Sequence, residues 1–482
     1  MTDIKSEENL QQPGQLIIDE LFLTTRSMQE HDLVGHLIEM NIYEDIWNPH
    51  IHGTILINDA IDLIGSYAIG GGEFITMKLR TATYEDVPDN VIDKSFQVYS
   101  INNRSLTTDR AQTYELGFMS IEGITDAAVP ISKRYTGNTQ DIIGDIYEEY
   151  MQEYRRPVEA KEKSTLIIGD TPHASNVNYI SNFWTPAQNL QYLTKYAQGN
   201  QHVGSDFVFY ESNKSYYFTS LQQLISVQKE QLFEEYVYST PGLEVPHRGG
   251  GDTFVGINLG KKHCTIEDLK IPRTIDTLDG VDSGYYSQSV RAYDLFTKER
   301  IETYVDVRED FESFVHTDDG IPVPSGTPRS PYSQMGIKLL NSFAYGATPQ
   351  GIPGGKLNTT NAAVVNNTLF RANYFNSFKD YTFEMDVPGR TDIEVGKLIA
   401  QEIDKVGLEG LFEHIPGVFF LVKDLQGRFM AGNRATRQRL GAATAEQFLG
   451  KTDADFIPGQ LVRDFREDDA RVIRTGKPIV NR

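Results

Sequence analysis

The feature that most constrains this chain is a change of composition close to residue 400. All 25 tyrosines and both tryptophans precede residue 401, and the last 82 residues contain no tyrosine. Those 82 residues carry 13 Lys and Arg against 12 Asp and Glu, whereas residues 1–400 carry 32 against 55, a net charge of −23. A break of this kind is typical of a domain boundary or a fusion. We therefore expect two different folding units to meet near residue 400.

Length and overall composition predict several globular domains. A single hydrophobic core stops growing at about 250 to 300 residues, and this chain has 482, of which 39% are hydrophobic. The net charge of −22 argues against nucleic-acid binding, because a nucleic-acid-binding protein places Lys and Arg against phosphates. The polar N-terminus and the absence of an apolar run of about 18 residues predict neither a signal peptide nor a membrane span. We expect no direct membrane binding.

Residues 1–125 are predicted to form a small β-barrel or sandwich. Short runs rich in β-branched residues alternate there with Asn, Asp, Gly and Pro. The expected strands cover 16–25, 36–45, 51–59, 73–81, 94–106 and 112–123. Their near-regular spacing favours an antiparallel arrangement.

Residues 126–254 are predicted to contain a helix packed on a hairpin. In "NTQDIIGDIYEEYMQEY", Ile142 and Ile146 fall four apart, and in "FWTPAQNLQYLTKYAQ" Pro186 suits a first helical turn. The next run, "DFVFYESNKSYYFTSL", predicts two strands around a turn at 211–214. The Gly- and Pro-rich residues 241–256 predict a loop.

Residues 255–400 are predicted to hold a second small β unit. Two strands are expected around a turn at 297–299, and a long loop at 318–357. A helix is expected over 361–378, with Val365, Leu369 and Phe375 inward. Residues 381–399 then predict a strand, a "PGRTD" turn and a return strand. The order of strands, helices and strands indicates α+β modules.

The run "NFWTPAQNLQYLTKYAQ" and the "VGSDFVFYESNKSYYFTSL" after it resemble the central hub protein of contractile (T4-type) phage tail baseplates. The "EMDVPGRTDIEVGKLI" turn is similar to the late Pro-Gly hairpin of that family. The resemblance covers roughly residues 14–400 and implies a multidomain α+β fold with two small antiparallel β-barrels and α+β insert domains. We assign residues 1–125 to the first barrel, 126–254 to the helix-hairpin domain and 255–400 to a second barrel that lacks its closing strands.

The hub resemblance also implies an assembly and its partners. A homotrimer with two similar barrels in each chain forms a ring of six like positions. Such a ring sits on a spike or tail-lysozyme-like protein and presents near-sixfold symmetry to the tail tube or its initiator. The implied location is the virion baseplate, assembled in the host cytoplasm. DNA would pass through only as cargo, which agrees with the negative charge of residues 1–400.

From Leu408 the sequence resembles a PAS domain of bacterial sensory proteins. The resemblance is carried by "GLEGLFEHIPGVFFLVKDLQGRFMAGNRA", "FLGKTDADFIP" and "LVRDFREDDARVIRTGKPIVNR". Val418, Phe420 and Val422 predict a strand, Asp424 and Gly427 a turn. Leu461, Phe465 and Val472 predict one helical face. A PAS sheet has three more strands after this point, so we expect residues 401–482 to be an incomplete PAS-like α/β fragment, marginally stable alone.

No cofactor signature accompanies the PAS-like pattern. The flavin-photochemical PAS type needs a cysteine, and the single cysteine of the chain is Cys264. The haem type usually needs a helix histidine, and none follows His414. For Cys264 itself, a buried small apolar role is favoured over a nucleophile.

Motifs that carry chemistry elsewhere are weak in this chain. His50 and His52, in "NPHIHGT", would share a strand face and could supply two metal ligands, yet no third ligand is placed by the sequence. The run 247–256, "HRGGGDTFVG", lacks the Gly-Lys-Ser/Thr ending of a phosphate loop. The carboxylates of "DADF", 453–456, are explained by capping. No hydrolase motif occurs, so we expect no enzyme, no metal site and no cofactor.

Three functional hypotheses remain open at this stage. The first is a baseplate hub fused to an unrelated, non-catalytic PAS fragment. The second is a sensory or regulatory PAS protein with an N-terminal partner-binding β module, which requires a complete PAS pocket. The third, a hydrolase, is motivated only by the two-histidine strand and the Gly-rich loops.

Overall fold

A computed structural model describes most of the chain. The described residues are 14–81, 91–108, 111–152, 164–169, 177–195, 197, 206–213, 215–229, 234–238, 265–273, 276–294, 300–313, 315–316, 334–340, 370–378, 382–401, 421–423, 427–432, 434–441, 445–448, 450–456, 462, 465, 469 and 471.

The chain divides into two compact units. The first contains Met1–Glu234 and Pro246–Ile399, and the second contains Glu235–Val245 and Ala400–Arg482. The break in composition near residue 400 falls at this division. The four domain ranges expected from the sequence remain predictions.

The first unit begins with a seven-stranded antiparallel sheet. Its strands are β1 Leu16–Thr24, β2 Glu30–Asp32, β3 Leu37–Tyr43, β4 His52–Asp59, β5 Phe74–Thr81, β6 Val91–Thr108 and β7 Ala111–Ser120. They lie in the order β2-β1-β5-β6-β7-β4-β3, and every neighbouring pair is antiparallel. A short helix, α1 (Leu63–Tyr67), follows β4.

The sheet curls around a single core. Alternate residues of β1, β4, β5, β6 and β7 point inward and meet in one cluster. The buried members are Leu21, Leu23, Leu33, Ile51, Ile55, Ile57, Leu63, Ile69, Ile75, Met77, Leu79, Phe96, Val98, Tyr114, Leu116 and Phe118. Register shifts in β1 and β6 add the local twist that such curvature needs.

The six strands predicted over residues 1–125 are all present, and β2 is a further strand that the sequence did not predict. The boundaries of the predicted strands differ by up to three residues: β6 begins at Val91 instead of 94. The last was expected to continue to residue 123, but β7 ends at Ser120, where helix α2 (Ile121–Ala128) begins. The apolar residues there are spaced for a helix face, with Ile121 buried. Strands β2 and β3 occupy the two edges of the sheet. The observed form is a curled half-barrel, and closure into a complete barrel remains a proposal.

The middle of the first unit has the expected helix-on-hairpin arrangement. It contains β8 Arg134–Gly137, α3 Thr139–Ile146, a π-helical turn Tyr147–Gln152, β9 Thr165–Ile168, β10 Val177–Ile180, α4 Pro186–Leu193, β11 Phe207–Glu211, β12 Ser215–Ser220 and α5 Leu221–Lys229. Strands β11 and β12 form an antiparallel hairpin, and β9 adds to β12 in parallel. Helices α3 and α4 pack on the hairpin through a core that includes Ile143, Leu190 and Phe218.

Helix α4 starts where the sequence predicts. Thr185 accepts a hydrogen bond from Gln188 N, the Gln188 side chain accepts one from Thr185 N, and Pro186 occupies the first turn. Such a capping box satisfies two backbone donors that a helix start leaves free. Residues 194, 195 and 197 continue the segment beyond the helix, with Ala197 buried.

The later strands form small sheets. Between residues 265 and 401 lie β14 Thr265–Ile266, β15 Asp268–Arg273, α6 Thr277–Asp282, β16 Ser287–Asp294, β17 Arg300–Asp306, α7 Val307–Asp310, β18 Gln334–Leu340, β19 Thr382–Asp386 and β20 Ile399–Gln401, while β13 Glu234–Tyr238 precedes them. Strands β16 and β17 are antiparallel, as predicted, but β16 and β18 are parallel. The described strands therefore do not establish a second antiparallel barrel, which also remains a proposal.

The predicted hairpin over residues 381–399 is wrong. Strand β19 pairs with β15, more than a hundred residues earlier, and residues 387–398 form turns and extended segments without a return strand. The physical reason is that residues 388–396 make side-chain and backbone contacts with the first sheet instead. Of the predicted helix over 361–378, residues 370–377 are helical and the part before 370 lies outside the described residues.

The second unit contains a short hairpin and helices. Strands β21 (Leu421–Lys423) and β22 (Phe429–Gly432) are antiparallel, and helices α8 (Arg434–Leu440) and α9 (Ala445–Phe448) follow. Gly427, in the predicted turn, has a φ of +77°, a conformation that glycine adopts without strain. Phe429 and Phe448 are buried and packed with Phe456. On the predicted later helix Phe465 is exposed and Val462 is buried; Val418, Phe420, Asp424, Leu461 and Val472 lie outside the described residues.

Within the described parts of the chain, no helix combines the length and apolarity that a membrane crossing requires.

Candidate functional site

A buried carboxylate, Glu211, joins the hairpin to one end of the curled sheet. Its Oε1 accepts a hydrogen bond from Lys94 Nζ on β6 at 2.5 Å. Its Oε2 accepts from Ile51 N, just before β4, at 2.8 Å and from Ser120 Oγ, at the end of β7, at 2.5 Å. One side chain thus contacts three neighbouring parts of the sheet. We call these contacts, together with those of His50, Tyr216 and Asp126 below, the sheet-end junction.

The local sequence explains why Glu211 is placed so firmly. All five residues of β11 are buried, and the Phe209 and Tyr216 rings are stacked with centroids 5.6 Å apart. Burial opposes the charged carboxylate, but Lys94, His50 and the bond from Ser120 outweigh it and hold the pKa of Glu211 below its ordinary value. Glu211 is therefore expected to be ionised and paired with Lys94.

His50 extends the junction to helices α2 and α4. His50 Nδ1 lies 3.0 Å from Tyr216 Oη, and His50 Nε2 lies 3.6 Å from Asp126 Oδ2. Asp126 in turn accepts bonds from Ala187 N at 2.5 Å and from Thr185 Oγ1 at 3.0 Å. A carboxylate at the start of α4 is favourable, because the first N–H groups of a helix need acceptors.

Residues 388–396, which we call the strap, contact the same end of the sheet. Thr391 N donates to Thr81 Oγ1 at 2.9 Å, and Thr81 N donates to Thr391 Oγ1 at 3.0 Å. Four residues later, Val395 N donates to Glu44 Oε2 at 3.1 Å. Thr81 ends β5, whereas Glu44 directly follows the edge strand β3, so the strap binds two strands that are not neighbours.

Burial shifts the pKa of two charged groups, Glu44 beside the strap and Arg371 beside the hairpin. Burial raises the pKa of the Glu44 carboxyl to about 7; the bond from Val395 N and the charge of Lys94 oppose that rise. Arg371 Nη1 donates to Phe207 O at 2.9 Å and to Thr194 O at 3.2 Å, and burial lowers its pKa to about 10. Arg371 thereby fixes the 370–377 helix against the hairpin and the end of α4.

These contacts fix the arrangement of segments; they do not present a reactive group. The carboxylate, amine and hydroxyl groups are bonded to one another, and the most central of them are buried: Glu211 and Ser120 are 1% and 0% exposed. Buried ionised pairs hold a defined geometry because a buried charge without its partner strongly destabilises the folded state. The chemistry that this arrangement supports is positioning.

His50 and His52, which the sequence predicted on one strand face, make different contacts in the structure. His50 lies in the sheet-end junction, whereas the His52 ring stacks on Tyr43 with centroids 5.3 Å apart. Across the residues that the structure describes, no group of three or more His, Cys, Asp or Glu could hold a metal ion. Cys264, His414 and the run 247–256 lie outside the described residues.

Asp453 has a second role in addition to the expected capping pattern. Thr452 and Asp455 form a capping box, with Thr452 N donating to Asp455 Oδ2 at 2.7 Å. Asp453, however, accepts from Lys423 Nζ at 2.7 Å, and Asp469 does so at 2.9 Å. Burial opposes the charged form of Lys423, but these bonds outweigh it and raise the pKa of Lys423 above its ordinary value.

Sequence reasoning missed Lys94 and Glu211, although a signal was present. Lys94 shares its strand face with Phe96 and Val98, and Glu211 shares a face with Phe209, because alternate residues of a strand point the same way. Both faces are otherwise apolar. A Lys and a Glu on two such faces indicate a buried pair, since a lone buried charge is costly.

Comparisons with known proteins give one family-model match and several similar solved structures. A family model described as the PAS fold matches residues 412–481, and no curated protein matches the chain in sequence. A tail protein from Neisseria meningitidis MC58 is 10% identical at a TM-score of 0.46, and the match covers 83% of this chain and 90% of that one. The 43 kDa tail protein of prophage MuSo2 from Shewanella oneidensis is 9% identical at a TM-score of 0.43, with 80% and 90% covered. The E. coli c3393 protein, a component of the type VI secretion system, is 8% identical at a TM-score of 0.26, with 47% and 52% covered.

Proposed function

We propose that residues 1–400 form the central hub of a contractile phage tail baseplate, and that residues 401–482 are a fused PAS segment without catalytic function. The hub acts as a scaffold in the virion. It binds a spike or tail-lysozyme-like protein on one side and the tail tube or its initiator on the other. DNA passes through the ring as cargo only.

The proposal rests on where the residues that resemble the hub family lie in the structure. The resemblance depends on residues 182–221, and the described part of that run contains helix α4 and the β11–β12 hairpin. The same hairpin places Glu211 against three parts of the curled sheet. A scaffold needs such fixed internal geometry, and the buried contacts of the sheet-end junction supply it.

The assembly that we propose is a homotrimer. The curled sheet has two edge strands, β2 and β3, and edges of this kind are commonly covered by another chain or segment. The charge of −23 on residues 1–400 suits a channel through which DNA slides without binding. In a ring of three chains, two β units per chain would give six like positions.

Light scattering coupled to size exclusion tests the proposal. Three chains of 54.4 kDa give a trimer of about 163 kDa, and we expect this mass at micromolar concentration. A mass of one chain at every concentration up to about 100 μM would contradict a trimeric hub.

A second candidate function is favoured by the PAS match over residues 412–481. In this alternative the chain is a sensory or regulatory protein whose PAS segment binds a ligand and whose N-terminal β module binds a partner. Thermal scans with a library of small apolar and heterocyclic ligands distinguish the two. A ligand that stabilises residues 401–482 in a saturable way supports the sensory protein, because binding to the folded state raises its stability.

A further inference from the structure

The strap connects two sides of the open sheet. Between β5 and the edge strand β3 lie β6, β7 and β4, so in a flat sheet β5 and β3 would be about 19 Å apart at a spacing of about 4.8 Å per strand. Thr391 and Val395, four residues apart, contact Thr81 of β5 and Glu44 after β3. Four residues of extended chain reach at most about 14 Å. The strap therefore crosses the opening of the curled sheet by a short path.

Each end of this path is held by a different kind of contact. At Thr391 two uncharged threonines exchange backbone and hydroxyl bonds, and both are buried. At the other end, Gly396 is pressed against Tyr210: a Cβ on Gly396 would lie 2.5 Å from Tyr210 Oη. At Val395 the acceptor is an ionisable carboxylate, that of Glu44.

The surroundings of Glu44 are dominated by negative and uncharged groups. Lys94, whose charge acts on Glu44, is bonded to Glu211 at 2.5 Å. Glu394, next to the Val395 amide, lies 3.8 Å from Lys397 Nζ, a pair that is partly exposed. The titratable and charged groups around Glu44 are Lys94, Glu211, Tyr210, Tyr217 and Glu394 with its partner Lys397.

We propose that the strap is a pH-sensitive closure of the curled sheet, held more firmly when Glu44 is protonated than when it is ionised. An ionised Glu44 is partly withdrawn from water and faces the carboxylates of Glu394 and Glu211, and release of the strap rehydrates it. The bond from Val395 N favours the ionised carboxylate, but the burial of Glu44 and the repulsion from Glu394 and Glu211 outweigh it. A protonated Glu44 keeps an oxygen for the Val395 N–H and loses the repulsion. The raised pKa of about 7 places this change near neutral pH. The inference concerns the regulation of the fold and does not depend on the proposed tail function.

Amide hydrogen exchange of the full-length protein tests the strap directly. Protection is measured by mass spectrometry for peptides covering 389–399, at about pH 6 and about pH 8, after correction for the intrinsic pH dependence of exchange. With a pKa of about 7 when closed and about 4.5 when open, we expect protection of the strap to fall about tenfold from pH 6 to pH 8. Peptides from β7 serve as an internal reference and should change by less than about twofold.

Two variants separate Glu44 from other titrating groups. Glu44→Gln keeps an acceptor for Val395 N without a charge, so we expect strap protection to become independent of pH. Glu39→Gln, at an exposed glutamate on β3, the strand that Glu44 directly follows, should behave as the natural chain does. Equal strap protection at the two pH values in the natural chain, a tenfold loss that persists in Glu44→Gln, or an equal loss in the β7 peptides would each overturn the proposal.

Discussion

Replacement of Glu211 by Gln is the most informative perturbation of the sheet-end junction. Glutamine has nearly the same shape, but one of its two terminal atoms is an NH₂ group. Whichever way the amide is turned, that NH₂ faces a donor, either Lys94 Nζ or the Ile51 N and Ser120 Oγ pair. Lys94, 9% exposed, would keep the weaker contact with Asn213 O at 3.3 Å but no carboxylate partner among the described residues.

The magnitude follows from the burial of both partners. Removal of one member of a buried ion pair leaves the other charge uncompensated and costs about 3 to 5 kcal/mol. If Lys94 is changed to Met in the same chain, no unpaired charge remains and the glutamine can direct its oxygen toward Ile51 N and Ser120 Oγ. The double variant Lys94→Met with Glu211→Gln is therefore expected within about 2 kcal/mol of the natural protein.

Tryptophan fluorescence during urea unfolding measures this effect for the first unit alone. The only two tryptophans are Trp47 and Trp184, both in the first unit, so residues 401–482 do not contribute to the signal. The matched control is Glu149→Gln, which removes the partner of Lys133 from a pair with side chains 39% and 44% exposed. That change should cost less than about 1 kcal/mol.

Two results would refute the reasoning. One is a cost below about 1 kcal/mol for Glu211→Gln, which would mean that the pair is accessible to water. The other is a double variant that is less stable than the natural protein by the sum of the costs of Glu211→Gln and Lys94→Met alone, because the unpaired charge would then not be the cause.

Three further predictions concern other contacts. Gly396→Ala should destabilise the first unit by about 1 to 3 kcal/mol in urea unfolding, because φ at residue 396 is +83° and a Cβ would meet the buried Tyr210; an unchanged midpoint would contradict this. Asp453→Asn should increase hydrogen exchange in peptides covering 421–432 more than an Asp→Asn or Glu→Gln change at an exposed carboxylate does, because Lys423 loses a bond at 2.7 Å. Unchanged exchange in these peptides would argue against a stabilising pair. The folded pKa of Glu44 lies above its ordinary value, so its contribution to the free energy of unfolding is complete below about pH 4.5 and is lost as the pH rises to about 7. The free energy of unfolding of Glu44→Gln should therefore rise by about 2.5 kcal/mol relative to that of the natural chain between pH 5 and pH 8. A difference between the two proteins that does not change with pH would contradict the assignment.

Local patterns predicted most individual elements. β4 and β5 alternate buried and less buried residues with a period of two, so their sequences determine both the strand and its inward face. Thr185 and Pro186 mark the start of α4 equally clearly. These signals lie within a few residues of the structure that they specify, and a single sequence contains them completely.

Long-range pairing was not predictable in the same way. Residues 381–399 contain a good turn sequence, yet β19 pairs with β15 and the strap binds the first sheet. Turn chemistry describes the bend but not the partner of the following residues. Likewise β18 joins β16 in parallel across a long connection, a choice that depends on the packing of the whole unit.

The candidate site was only partly predictable for a related reason. His50 and His52 were noticed because histidine is a common metal ligand, but the identity of each partner depends on which face of the fold the ring meets. Glu211 and Lys94 were indicated by strand parity, but 117 residues separate them. Their pairing becomes visible only when the hairpin and the sheet are placed together.

The central claim is that residues 1–400 form a trimeric ring-shaped scaffold, and electron microscopy of the purified full-length protein tests it most directly. We predict class averages with threefold symmetry, a central opening and six similar peripheral densities. Averages that contain only single asymmetric particles, at concentrations where light scattering finds one chain per particle, would contradict the account.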